Sequence, residues 1–220
     1  MVNRRPTALA VHTCLVMALV PALAAQRPIA PDRSADLFTD LYKRGAVKQR
    51  TLRSIHARFT ETTTSSLLLK PIVAHGTVVA ASPARVAMTY TDPEPKTLTM
   101  DATTLTIRWT SRPERQQINI RDIQQRVDRY FTHASVDELR SMFEIAARPD
   151  PALRHSDLIE LTPKRKQIRE GLERLEVWID RDSDLLTQMR LTFPGGDQKT
   201  IALGEITLNV PVTDEMFRVK

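Results

Sequence analysis

Hydrophobic and polar residues change period several times along this chain. Between Asp32 and Arg50, the apolar residues Leu37, Phe38, Leu41, Tyr42 and Val47 recur at helical spacing. This predicts one amphipathic helix of about three to four turns, capped by Asp32 or Ser34 and weakened midway by Gly45. From Thr51 the period falls to two, with Ile55, Ala57 and Phe59 alternating against His56, Arg58 and Thr60. The same alternation returns at Val86, Met88 and Tyr90, at Leu98 and Met100, and at Leu105, Ile107 and Trp109. These are strands with one apolar face and one wet face. Ser82-Pro83-Ala84 and Asp101-Ala102-Thr103 fit hairpin turns, so strands adjacent in sequence should pair.

Helical spacing comes back in the middle of the chain. Ile123, Val127 and Tyr130 share a face over residues 122–130, and Ser135 with Glu138 forms a capping box ahead of Leu139, Met142 and Phe143. The last third again reads as strands, over residues 158–162, 175–180, 185–193 and 200–210, with Pro194-Gly195-Gly196-Asp197 the strongest turn. In the final strand the apolar phase slips by one at Gly204-Glu205, which a β-bulge would explain. The sum is an antiparallel sheet of about nine to eleven strands with an N-terminal helix and a mid-chain helical pair. A sheet that wide curls into a closed or half-open barrel, and periodicity alone leaves open whether its interior is filled or hollow.

The N-terminus adds a compartment. Arg4 and Arg5 precede an apolar run over residues 8–23 that ends in Ala22-Leu23-Ala24. This is the pattern of a secretory signal peptide, residues 1–24, with an uncleaved anchor as the alternative. His12, Thr13 and Pro21 interrupt the run, which is shorter than the roughly 20 apolar residues a spanning helix needs. Residues 25–34, with two prolines, form a flexible lead, and residues 35–220 suit a single domain. The expected location is outside the cytoplasm. Cys14, the one cysteine, lies in the leader without the small residues that a lipid-attachment site places before it. The remaining chain therefore has no disulfide, no catalytic thiolate and no Cys-based metal site.

Charge and polar chemistry narrow the function mainly by exclusion. The net charge of +6 falls to +4 once Arg4 and Arg5 leave with the leader. The basic stretches 121–129 and 164–174 are interleaved with Asp122, Asp128, Glu170 and Glu173, which reads as a solvated face in preference to an anion-binding patch. Nucleic acid is not an expected partner. His56, His75, His133 and His155 stand too far apart in sequence to suggest a metal site. His155-Ser156-Asp157 holds the residue types of a hydrolytic triad, but adjacent residues do not form the relay, and no Gly-x-Ser-x-Gly elbow accompanies them. Asp180, Asp182 and Asp184 belong to a turn, and no phosphate-cradling glycine loop exists. No enzymatic activity, metal or cofactor is expected.

The order of several short segments resembles the LolA family of periplasmic lipoprotein carriers. They are the N-terminal helix running into Ile55-His56-Ala57-Arg58-Phe59, then Gly76-Thr77-Val78, Pro83, Tyr90 and Pro93, and later Leu161-Thr162-Pro163-Lys164. Asp180, Phe193-Pro194-Gly195-Gly196, Ile206, Asn209-Val210-Pro211 and Met216-Phe217 complete the set, so the resemblance spans roughly residues 35–218. It implies an α+β fold, an unclosed antiparallel β-barrel whose helices cover an apolar cavity for lipoprotein acyl chains. It further implies a monomer that receives acylated lipoproteins from an inner-membrane lipoprotein-release ABC transporter and passes them to an outer-membrane acceptor lipoprotein. On periodicity alone, Phe59, Val86, Met88, Tyr90, Leu98, Ile107, Trp109, Met142, Phe143, Met189 and Leu191 read as an ordinary packed core. The resemblance makes them candidates for lining the acyl-chain cavity.

One departure from the family pattern implies either a lid that closes differently or a different cargo. The family's best-known members carry an arginine immediately before the hairpin proline that ties the lid to the barrel, whereas Ser82 stands there here. Arg85 falls on the strand face opposite Val86, Met88 and Tyr90, which argues against its acting as a substitute. Ser66-Leu67-Leu68-Leu69-Lys70-Pro71 also resembles a LolA-like subgroup associated with lipid or pigment export. A free lipid, glycolipid or pigment precursor is therefore the alternative cargo.

Overall fold

The structure is a computed structural model that describes residues 36–82, 84–129 and 134–218. The expected leader and lead, Pro83 of the first hairpin turn, Tyr130 and His133 lie outside the described residues.

Eleven strands form one antiparallel sheet: β1 (Ser54–Thr64), β2 (Ile72–Ala81), β3 (Arg85–Asp92), β4 (Lys96–Met100), β5 (Thr104–Trp109), β6 (Arg115–Asn119), β7 (Phe143–Pro149), β8 (Ser156–Pro163), β9 (Arg174–Asp180), β10 (Leu186–Thr192) and β11 (Gln198–Leu208). Their spatial order is β6-β5-β4-β3-β2-β1-β11-β10-β9-β8-β7. Every pair of sequence neighbours is hydrogen-bonded except β6 and β7, and at the centre β1 meets β11. The edges are β6 and β7, which do not pair, so the barrel is unclosed. The chain bridges those edges through α2 (Arg121–Val127) and α3 (Val136–Met142), while α1 (Leu37–Thr51) packs Phe38 and Leu41 into the core. A one-turn α4 (Lys166–Arg169) buries Ile168, and a 3₁₀ turn, Asp214–Phe217, closes the chain. None of these helices is long and apolar enough to cross a membrane.

Local chemistry accounts for the element ends. The Asp36 carboxylate caps α1 by accepting from the Thr39 N–H at 2.9 Å, whereas the expected caps Asp32 and Ser34 lie outside the described residues. Ser135 and Glu138 cap α3 reciprocally, as the sequence predicts. Asp101 holds the β4–β5 turn by accepting from the N–H groups of Thr103 and Thr104. Burial opposes its charge, but those donors outweigh it and hold the carboxyl below its ordinary range. In β11, Arg58 faces Gly204 while His56 faces Thr207, so one extra residue sits in β11, and Glu205 has a φ of 50°. This is the bulge that the phase slip predicts.

The clearest differences from the sequence expectation lie at β6 and β7. Phe143 opens β7 instead of ending a helix. β7 itself escapes periodicity because Ala146 and Ala147 blur its alternation and it ends in Pro149, tolerated on an edge strand. β6, Arg-Gln-Gln-Ile-Asn, has a single apolar residue, Ile118, and is the other edge.

The half of the sheet from β1 to β5 is packed tightly. Phe59 lies across from Gly76, and a Cβ on that glycine would stand 2.1 Å from the Thr89 carbonyl oxygen and 2.7 Å from the Phe59 ring. Only glycine fits there. The Phe59 ring meets Tyr90 edge-on, with centroids 4.9 Å apart. Behind them Glu61 accepts from the Tyr90 hydroxyl at 2.8 Å and from Lys199 Nζ at 2.7 Å. Glu61 and Lys199 are both buried, which is tolerable because each charge meets its counterion.

Candidate functional site

A cavity of about 160 Å³ lies under α1, against β8, β9 and β10. Its floor follows from register. Ile159 pairs with Val177, Val177 with Met189, and Leu161 with Leu175, so one face of three adjacent strands presents only apolar side chains. Its roof is α1, which contributes Phe38, Tyr42, Gly45, Lys48 and Gln49, and Leu139 of α3 closes one side. The glycine matters, since an alanine there would strengthen the helix by about 0.5–1 kcal/mol, yet the chain leaves a gap facing the sheet.

The rim has a polar sector. Lys48, Gln49 and Asp184 line it near the C-terminal end of α1, and the Gln49 side-chain oxygen is buried without a donor among the described residues. Three polar ties hold the roof down. Asp36 pairs with Arg140 of α3, Arg44 Nε lies 3.0 Å from Asp184 in the β9–β10 turn, and the Tyr42 hydroxyl donates to the Ala134 carbonyl at 2.9 Å. Arg140 and then the Thr39 N–H hold the Asp36 carboxyl below its ordinary range. Burial pushes the Tyr42 hydroxyl up, with Glu138 adding to the shift, so it stays a neutral donor. Both ion pairs are substantially exposed, so each contributes at most about 1 kcal/mol. The polar ties are weak, and the buried Phe38 and Leu41 side chains supply the larger part of the hold.

Of the eleven residues singled out from sequence, Met189 lines this cavity. Phe59, Val86, Met88, Tyr90, Leu98, Ile107, Met142, Phe143 and Leu191 are buried in the common core beside it. Trp109 is half-buried at the end of β5, where its indole N–H donates to Glu94 at 3.1 Å and Arg112 stacks on its ring. Sequence reasoning missed the α1 wall and the residues Ile159, Leu161, Leu175, Val177 and Ile179. Their alternation is visible in the chain, but nothing in it marks which apolar face leaves space. Arg85 pairs with Asp214 at 2.6 Å and stacks on Phe217, so it fastens the C-terminal turn to β3. Among the described residues, no group of three His, Cys, Asp or Glu side chains is placed to hold a metal ion.

Known proteins resemble this arrangement. A search of curated proteins finds no match. Among solved structures, an uncharacterized conserved protein from Thermus thermophilus aligns with a TM-score of 0.52 at 9% identity, covering 83% of this chain and 94% of its own. Lipoprotein LppX of Mycobacterium tuberculosis aligns with a TM-score of 0.50 at 15% identity, covering 82% and 99%. A LolA superfamily protein from Nitrosomonas europaea aligns at 0.38 and 9% identity, covering 77% and 91%. At these identities the likeness to the first two is one of fold. The sequence model of the outer membrane lipoprotein carrier protein LolA matches residues 50–220, most of the chain, and with the unclosed antiparallel sheet this shows that the protein belongs to the LolA family.

Proposed function

We propose that the protein is a periplasmic carrier that binds the acyl chains of lipoproteins beneath α1 and shuttles them from the inner to the outer membrane. The observation that carries this reading is the cavity itself, with an apolar floor of three strands and a helix roof held by weak polar ties. Each acyl CH₂ withdrawn from water is worth about 0.8 kcal/mol, so two or three chains carry on the order of tens of kcal/mol. Unassisted crossing of an aqueous compartment is correspondingly slow. A carrier has to offset most of that cost yet release to an acceptor, which suits shallow contacts under a movable cover. The cavity has about the volume that accepts a benzene-sized guest, so it takes the end of one chain. The remainder enters as α1 lifts, and the core residues beside Met189, with Leu191 and Phe143 first, extend the wall. The release transporter of the inner membrane and an acceptor lipoprotein of the outer membrane are the proposed partners, and no catalytic step is involved.

A second reading keeps the site and changes the cargo to a free lipid, glycolipid or pigment precursor. It is favoured by Ser82, which stands where the family's lid arginine would be, and by Arg85, which is engaged with Asp214 and Phe217 at the C-terminal turn. Mass spectrometry of ligands that copurify with the protein separates the two. Acylated polypeptide supports the first reading and free lipid the second. Absence of any acyl ligand, together with failure to take up an acyl probe, overturns both.

A further inference from the structure

The β1–β2 hairpin carries four of the seven large hydrophobic side chains exposed in the described residues: Leu67, Leu69, Ile72 and Val73. The other three, Val47, Leu153 and Met216, are scattered, so this is the one place where exposure is concentrated. Leu67 is 90% exposed and Leu69 108%. The tip is built, not collapsed: the Leu68 N–H donates to the Ser65 carbonyl at 3.1 Å and the Leu67 N–H to the Ser65 hydroxyl at 3.2 Å. It also projects. Pairing of β2 with β3 stops at His75, and pairing of β1 with β11 stops at Thr64, so residues 65–71 pass the last paired residue of both neighbouring strands.

We propose that this tip docks the protein on a lipid bilayer, with Leu67 and Leu69 entering the acyl region and Lys70 reaching back to the headgroups. Shape selects the bilayer over a protein partner. A stable protein interface needs about 800 Å² from each side, more than the tip of one two-stranded hairpin offers. A bilayer requires only that a few apolar side chains leave water, and a lysine beside them snorkels to the interface. Electrostatics contribute little, because the tip itself carries one charge, Lys70, and the adjacent turns carry both signs, with Asp92 and Asp197 beside a Glu94 that is paired with Arg112 at 2.6 Å. Docking is therefore weak, reversible and nearly insensitive to salt. It is separate from the cavity, whose lining includes no residue of this hairpin.

The test is flotation of the protein, purified after export, with phosphatidylcholine vesicles at low and high salt, beside the double variant Leu67→Glu, Leu69→Glu. The wild type should partition about tenfold or more strongly than the variant at both salt concentrations. Circular dichroism and uptake of an acyl probe in solution should be the same for both proteins. Equal partitioning overturns the proposal. So does binding that is lost at high salt, or light scattering that reveals a dimer dissolved by the double substitution.

Discussion

The two halves of the sheet use the same alternation to opposite ends. In β1 to β5, Val78, Val86, Met88, Leu98, Leu105 and Ile107 are at most 2% exposed, and Phe59 fills the space above Gly76. In β8 to β10, Ile159, Leu161, Leu175, Val177 and Met189 form an equally apolar face, yet a cavity of about 160 Å³ separates it from α1. The difference lies in what covers each face. Strands of one half bring bulky side chains and aromatic rings onto one another, whereas the other half is roofed by a single helix with Gly45 in its wall. One half supplies stability and the other supplies room.

Breaking the buried pair of the packed half should have the largest effect. Glu61→Ala removes the buried carboxylate to which Lys199 and the Tyr90 hydroxyl donate and should cost about 3–5 kcal/mol, read as a lower urea midpoint. Met88→Ala, at a site with no exposure, should cost about 2–5 kcal/mol through the void it leaves. Val177→Ala, facing space that is already empty, should cost less than Met88→Ala, and equal losses would erase the contrast between the halves. Gly45→Leu should go the other way, raising stability by about 1 kcal/mol through helix propensity while weakening uptake of an acyl probe. A gain in both would mean that the gap is a defect, not a site.

The smallest expected effect concerns pH. The Asp36 carboxyl is held below its ordinary value of 3.8, so its tie to Arg140 is fully present above that value and is lost as pH falls through the lowered one. Hydrogen-exchange protection of the α1 amides, corrected for the intrinsic rate, should therefore fall as pH drops below 3.8, before that of the sheet amides changes.

Much of the fold was legible because alternation and turn chemistry are local. The capping box at Ser135, the slip at Gly204-Glu205 and the turn at Gly195-Gly196 each depend on a few adjacent residues. The edge strands β6 and β7 were not, since an edge is defined by what fails to pair with it. The site was legible only in its type. Apolar faces in both halves look alike from sequence, and emptiness is set by the distance between α1 and β9, which no local pattern encodes. Trp109 illustrates this: it shares the periodicity of Leu105 and Ile107, but its end of β5 lies beside Glu94 and Arg112.

The central claim is that acyl chains enter beneath α1. It is tested most directly by titrating a fluorescent acyl probe into the wild type, Val177→Trp, which fills the space from the floor, and Trp109→Asp in the other half. Binding that is saturable in the wild type, about tenfold weaker in Val177→Trp and within about twofold of wild type in Trp109→Asp is the predicted result, with all three proteins folded. Equal affinity in the wild type and Val177→Trp would contradict it.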